Sequence, residues 1–507
     1  MKKNRIRASF SNRKFKMGSF QTLIMILVVI VVVVLNIVVT RLGFSKDMNA
    51  DYLYSLSNDT VSFVSKLKDD ITLYYLVEDG NEAVSAANTK VINIENIIHL
   101  YDSFAHITVE KKNPVLYPNF AKDYTDKEVS DNDVIVVNNT TKKSEYVSFQ
   151  QEMIEYGYDT SGGSYQQIPQ TLKLESAVTS AIQKVTLKNT LKVYVSNDHG
   201  EQKLTDDFYD LLSKNGMEYE DFAIAKNTKL PEECDLFIMN SPSRDLTENE
   251  YQYITNYLKE GGKGLFFLNY TVETPFYDKL LKDYGIEAKK GMVLDPEGYS
   301  VSYGSGMYML LTPKLAEDSS LATDVTKADT LAWYSRGLTA DKKVRGTLKV
   351  ESVLETSDKS YCKMPDELKK EEVEKTDKDE SGPFSVAMMA TDTHAQNTKG
   401  EGHATKLFVV GSVAFTGVVD YASQSMVSII GNNQYANRSI LVNALTWLVG
   451  DSGEEIAVLN IPNRSLTVDS AVIEQGDIRF WTALLLGIVP LSLLLIGFLI
   501  WNRRRKK

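Results

Sequence analysis

Two long apolar runs bracket a chain whose remaining hydrophobic positions recur with short periods. The first run occupies residues 20–40 and contains Leu23-Ile-Met-Ile-Leu-Val-Val-Ile-Val-Val-Val-Val-Leu35; the second occupies 480–501. Each holds about 20 residues, which at about 1.5 Å per residue crosses a hydrocarbon core of about 30 Å. Lipid offers no partner for bare backbone, so both runs are expected as transmembrane helices. The first is too long for a signal-peptide core, and Thr40-Arg-Leu-Gly-Phe-Ser-Lys46 after it offers no small-residue cleavage site.

Between the runs, β-branched stretches alternate with amphipathic helical patterns, which predicts an α/β body. Ser57-Asn-Asp-Thr60 opens a helix with Val61, Val64 and Leu67 as its apolar positions. Ile71–Val77, Ile107–Glu110 and Val134–Val137 read as strands, and Val91–Phe104 as a helix. The Gly-, Ser-, Thr- and Gln-rich stretch Gly157–Gln170 reads as a loop. A bridging helix, Leu172–Leu187, carries the stripe Leu174, Val178, Ala181, Ile182 and Val185. After it come strand Leu191–Ser196, a helix with Leu204, Phe208, Leu211 and Leu212, and strand Asp235–Met239. The helix Thr247–Glu260 opens on the capping box Thr247-x-x-Glu250 and stops at Gly261-Gly262, before strand Gly264–Asn269. Such alternation implies a parallel sheet with right-handed crossovers. Strands Phe384–Met389 and Lys406–Val410 and a helix Arg438–Val449 close it. Asp366–Glu380 holds twelve charged residues of fifteen and reads as a mobile loop.

The organisation expected is therefore a basic tail (1–19), a transmembrane helix (20–40), a first extracytoplasmic α/β domain (41–188), a second (189–450) with a charged flexible insertion near 351–382, a membrane-proximal linker (451–479), a second transmembrane helix (480–501) and a basic tail (502–507). Charge sets the orientation. The two tails carry seven and five Lys or Arg and no acid, and basic flanks stay in the cytoplasm, so both termini are expected there. The whole chain is −11, which leaves about −23 between the tails. An acidic body argues against nucleic acid as a partner. Cys234 and Cys362 lie far apart and make neither a zinc spacing nor a framework of bridges.

The most reactive-looking cluster is Asp198-His-Gly-Glu201, just after the first strand of the parallel unit, where α/β sheets place ligands. His199 with its carboxylates suits acid–base work or metal binding. The plainer reading is a turn in which Gly200 bends the chain and the polar side chains cap the next helix. Asn240-Ser-Pro-Ser-Arg-Asp245 follows the second parallel strand at the same sheet edge. Asp198, His199, Gly200, Glu201, Asn240, Ser241 and Arg244 are thus the candidate ligand or partner residues, in one pocket or in two ordinary turns. No catalytic, cofactor-binding or metal role is assigned. Glu233-Cys-Asp-Leu236 is not a nucleophile elbow. Gly261-Gly-Lys-Gly264 lacks both the earlier glycine and the following Ser or Thr of a phosphate loop, so no ATPase is expected in this chain.

Several stretches resemble the auxiliary membrane component of ABC transporters related to the gliding-motility protein GldG. Tyr54-Ser-Leu-Ser57 with Thr60 resembles that family's opening motif, and Glu175 with Thr179-Ser-Ala-Ile182 its bridging helix. His199-Gly-Glu201 resembles its glycine-histidine-glycine-glutamate segment, with Asp198 replacing the first glycine. Asp235–Asn240, Leu246-Thr247, Tyr257-Leu258 with Gly261-Gly262, Val410–Phe415 and Asn443–Leu448 come in the family's order. The resemblance implies a second domain like the class I glutamine amidotransferase or flavodoxin-like folds without the catalytic cysteine. It implies no cofactor and no enzymatic activity, partnership with an ABC permease and an ATPase subunit, and a bacterial plasma membrane. Two other readings are a membrane-anchored hydrolase using the Asp198–Glu201 loop and a polysaccharide chain-length regulator, which shares the two-helix topology.

Overall fold

Side chains along the parallel strands alternate between two apolar cores, and that alternation organises the body. In the computed structural model the described residues are 53–84, 91–159, 166–298, 310–321, 328–368, 373–394, 402–420, 425–431, 435–450 and 458–466, with Ile30, Val325 and Arg503. The chain divides into two compact units, Met1–Ser55 and Leu56–Lys507, and the sheets and helices of the body belong to the second. Among the described residues no helix is long and apolar enough to cross a membrane. The two apolar runs lie outside those residues, Ile30 excepted.

The first sheet has four strands. Helix α1 (Asn58–Val64) starts at Ser57, whose hydroxyl accepts the Thr60 N–H. Thr60 and Val64 face inward, whereas Val61, expected on the apolar stripe, is exposed. Strands β1 (Ile71–Leu76), β2 (Ile107–Lys112), β3 (Asp133–Asn138) and β4 (Ser144–Val147) lie in the order β2-β1-β3-β4. The β1–β2 pair is parallel and the other two antiparallel. The helix expected over 91–104 is only Ile94–Ile98, continued as a 3₁₀ turn to Ser103. Asn93 stops it on the N-terminal side by accepting the Asn96 N–H, a local bond that Asn makes more readily than it joins a helix.

Of the stretch expected as a loop over 157–170, residues 157–159 and 166–170 are instead strand, in β5 (Ile154–Asp159) paired antiparallel with β6 (Gln166–Leu172); residues 160–165 lie outside the described residues. The composition of the stretch favours turns, but the third strand of this sheet, at residues 464–465, arrives from far along the chain. The bridging helix α2 (Leu174–Thr186) forms where expected and buries its whole predicted stripe against β3 and β4.

The main sheet comes next in the chain: β7 (Leu191–Ser196), α3 (Asp206–Lys214), β8 (Met217–Phe222), β9 (Leu236–Asn240), α4 (Glu248–Lys259), β10 (Lys263–Phe267), α5 (Pro275–Asp283), β11 (Ile286–Ala288), β12 (Leu338–Ala340), β13 (Leu348–Glu355), β14 (Ser385–Asp392), β15 (Thr405–Val410), α6 (Asn437–Val449) and the short β16 (Arg464–Ser465) beside β6. The order is β8-β7-β9-β10-β15-β14-β12-β11, with β13 beside β14. The five strands from β8 to β15 are mutually parallel. Val193, Val195, Leu236, Ile238, Leu265 and Phe267 meet α3 and α6 in one core. Tyr194, Phe237, Met239 and Phe266 meet α4 and α5 in the other. A sheet covered on both faces is why these strands read as unbroken apolar runs. The body is thus a mixed α/β fold with a doubly wound parallel sheet.

Two elements depart from the expected order. Strand β8 is an edge strand in which Met217 and Phe222 alone are buried, so its acidic middle hides it from a hydrophobic pattern. Helix α5 begins with Pro275 at its first position, and Asp245 accepts the Phe276 and Tyr277 N–H groups. The 351–382 segment, expected as a charged flexible insertion, contributes β13 and a short strand at Tyr361–Lys363. The charge there is partly internal: Lys363 and Asp379 pair at 2.8 Å with side chains 1% and 4% exposed. Cys234 and Cys362 are free thiols. Gly261, closing α4, has a φ of +91°, the left-handed turn a helix stop requires.

Candidate functional site

The order in which strands are added to the sheet reverses between the parallel neighbours β7 and β9. From β7 the chain crosses to β8 on one side, and from β8 it returns to β9 on the other. The crevice beyond the carboxyl ends of such a strand pair is where doubly wound sheets receive ligands. The loops after these strands are the ones marked by Asp198, His199, Gly200 and Glu201 and by Asn240, Ser241 and Arg244, so the fold brings both candidate stretches together.

His199 stands at the centre and is 5% exposed. Its Nδ1 lies 2.9 Å from Asp198 Oδ1, and its Nε2 lies 3.3 Å from Glu250 Oε2. Asp198 uses its other oxygen to accept the Ala225 N–H at 2.7 Å. Glu201 turns back on its own loop: one oxygen accepts the Ser196 hydroxyl, the other the His199 N–H at 2.7 Å. The polar side chains therefore brace the loop and do not cap α3, whose N-cap residue Thr205 makes no side-chain cap. Gly200 has a φ of +65°, and a Cβ there would stand 2.2 Å from Ser243 Oγ. The left-handed backbone favours glycine there, and a Cβ would also oblige the exposed Ser243 hydroxyl to swing away.

The second loop is stitched to the first. The Gln202 N–H donates to the Asn240 carbonyl at 3.0 Å, and the Asn240 side chain donates back to the Gln202 carbonyl at 2.6 Å. The N–H groups of Ser243 and Arg244 both donate to the His199 carbonyl at 3.0 Å. The Arg244 guanidinium donates to the Asp198 carbonyl at 2.5 Å. Ser241, 1% exposed and with a φ of +50°, bonds the Leu268 carbonyl through its hydroxyl. Ser243 and Arg244 remain exposed; His199, Asn240 and Ser241 do not.

Glu250 is the member of this cluster that sequence reading misses. As the third residue of α4 it is legible as half of a capping box, and the box forms. Its reach across to His199 joins residues 51 positions apart and leaves no local trace. Burial opposes its ionisation, yet the Thr247 N–H and hydroxyl and the His199 ring outweigh that and hold it below the usual carboxylate range. Asp198, His199 and Glu201 bring one donor atom each within 4.8 Å of one another, a spacing that suits a cation. Each of those side chains nevertheless already serves a protein partner. The thiols are poor nucleophiles: burial pushes both Cys234 and Cys362 up to about 12.

A family model described as an ABC-type uncharacterized transport system matches residues 188–444, just over half of the chain. The chain belongs to this family. The resemblance read from the sequence is thereby shown, and the matched stretch runs from the turn before β7 into α6. A search of curated proteins finds no match. Similar solved structures include the mmIFT52 N-terminal domain, at 16% identity over 51% of this chain and 96% of that one, with a TM-score of 0.35. A ThuA-like protein from Bacteroides uniformis is 15% identical over 53% of this chain and 96% of its own, with a TM-score of 0.31. PurLQS from Thermotoga maritima is 11% identical over 51% and 99%, with a TM-score of 0.25. Likeness at this level carries no functional argument. Family membership associates this chain with an ABC transport system.

Proposed function

We propose that this chain is a membrane-anchored, non-enzymatic accessory subunit of an ABC transporter. Its α/β body stands outside the cytoplasm, both tails lie inside, and ATP hydrolysis and substrate passage belong to a separate ATPase and a polytopic permease. The family match is the observation that carries this reading. The two apolar runs with basic flanks support the anchoring. The parallel order β8-β7-β9-β10-β15 supports a second domain of the flavodoxin or glutamine amidotransferase kind. The self-satisfied switch-point loops support a binding or scaffolding body over a hydrolase: His199 turns both ring nitrogens to carboxylates and neither to a nucleophile. A partner reading this edge meets the exposed Ser243 and Arg244.

The test is affinity purification of the tagged full-length protein in mild detergent, with mass spectrometry of the co-purifying chains. The expected result is an ABC ATPase and a polytopic permease in stable ratio. Recovery of neither, where a control transporter stays intact, overturns the reading. Arg244→Ala tests whether the edge touches the permease: retention of the complex at wild-type yield removes that contact from the proposal.

A further inference from the structure

Two segments far apart in the chain, 57–60 and 458–466, meet at one buried carboxylate. Glu175 lies in the first turn of α2, where helix N–H groups favour negative charge. Its Oε1 accepts the Ser57 N–H at 2.6 Å, and its Oε2 accepts Arg464 Nη2 at 3.0 Å. The two charged side chains are 7% and 13% exposed. Around them the sequence positions of the opening motif and the bridging helix interlock. The Thr60 and Thr179 hydroxyls lie 3.3 Å apart, and Tyr101 OH reaches Thr179 Oγ1 at 2.7 Å and the Glu175 carbonyl at 3.2 Å. The inbound and outbound segments also touch directly: the Asn460 N–H donates to Asp59 Oδ2 at 2.9 Å. Arg464 is held in register by the pairing of β16 with β6, and the Leu466 N–H donates to the Gln170 carbonyl at 2.8 Å.

The far end of α2 is tied to the first sheet. Asn138 Nδ2 donates to the Val185 carbonyl at 3.1 Å, Lys143 Nζ to the Leu187 carbonyl at 2.6 Å, and Lys184 pairs with Glu145 at 2.9 Å. Directly beyond, the chain enters β7 of the main sheet.

We infer that Glu175 is the pin of a clasp that locks the inbound segment, 57–60, to the outbound segment, 458–466, at the start of α2, while Leu459 and Asn460 of the outbound segment also bond Asn215 at the end of α3 and Arg438 and Ser439 of α6. A carboxylate suits this task because its two oxygens serve two segments at once, and parting a buried ion pair is costly because it strands the charge left behind. Neither segment moves against the other without breaking contacts at Glu175. The inference rests on contacts within the body alone and stands whether or not the transporter reading does.

The test uses the full-length protein in detergent and compares wild type with Glu175→Gln, Arg464→Ala and the conservative Arg464→Lys. Hydrogen exchange is measured in peptides covering 56–64 and 458–466, and the pair Asp59→Cys with Asn460→Cys is bridged by a short bifunctional thiol reagent. Exchange is expected to quicken roughly tenfold or more in both peptides together for Glu175→Gln and Arg464→Ala, with partial rescue by Arg464→Lys. Bridging yield is expected to fall several-fold in the same two backgrounds. Should Glu175→Gln fail to fold, Arg464→Ala alone decides the matter, since Arg464 begins a two-residue edge strand. Quickening confined to one peptide, or none with bridging unchanged, overturns the clasp.

Discussion

Replacing His199 by alanine is the most direct probe of the switch-point loops. The ring is buried, and its nitrogens join Asp198 on its own loop to Glu250 on α4. A hydrogen bond to a charged group contributes about 1.5–3 kcal/mol. The 2.9 Å contact belongs in that range, and the 3.3 Å contact toward its lower end. Removing the ring also takes its N–H donor from the facing carboxylates, although Thr247 still serves Glu250 and Ala225 still serves Asp198. The loss expected is about 3–5 kcal/mol. In a body this large it lowers Tm by roughly 4–8 °C. Thermal denaturation of the detergent-purified chain measures it. A Tm within about 1 °C of wild type refutes the argument that this histidine is a structural crosspiece. Zinc supplies the complementary arm: it is expected to leave the wild-type Tm unchanged. A zinc-dependent rise abolished by His199→Ala makes Asp198, His199 and Glu201 a metal site.

Buried groups give three further expected outcomes. Glu250 is held below its ordinary value of 4.5, so its contribution to stability is complete above that value and is lost as pH falls through the lower, folded one; Glu250→Gln is expected to flatten the acid limb of a Tm-against-pH curve. Lys363→Ala strands Asp379 in a buried position and is expected to cost about 3–5 kcal/mol, whereas the double change Lys363→Met with Asp379→Leu restores much of that in the same melting assay. Burial raises both thiols to about 12, so iodoacetamide at a pH of about 8 is expected to label Cys234 and Cys362 only after denaturation; fast labelling of the native chain contradicts their packing.

Elements whose cause is local were legible in the sequence. Strand Leu191–Ser196 coincides with its expected bounds because a nearly unbroken apolar run needs no distant information. The capping box of α4 formed because Thr247 and Glu250 satisfy each other across one turn. Elements whose cause is tertiary were not legible. The β5–β6 pair gains its third strand from residues 464–465, and β8 is held by its parallel register with β7 despite a surface of Glu218, Glu220 and Asp221. Helix α5 lies between. Its Pro275 was a readable start signal, but the carboxylate that caps it, Asp245, sits in a loop about 30 residues earlier.

The candidate residues show why residue type and sheet position did not settle the chemistry. His, Asp and Glu beyond a strand of a doubly wound sheet suggest reactivity when each is counted as an open valence. In the fold, Asp198 stands where the family pattern has glycine, and its carboxylate holds the His199 ring with one oxygen and the Ala225 amide with the other. The departure from the family pattern thus adds the group that fixes the ring on its Nδ1 side, while Glu250 fixes it on the Nε2 side. Asn240 and Gln202 join the two loops across the crevice, so the place where related sheets open to ligand is here crossed by the protein's own hydrogen bonds.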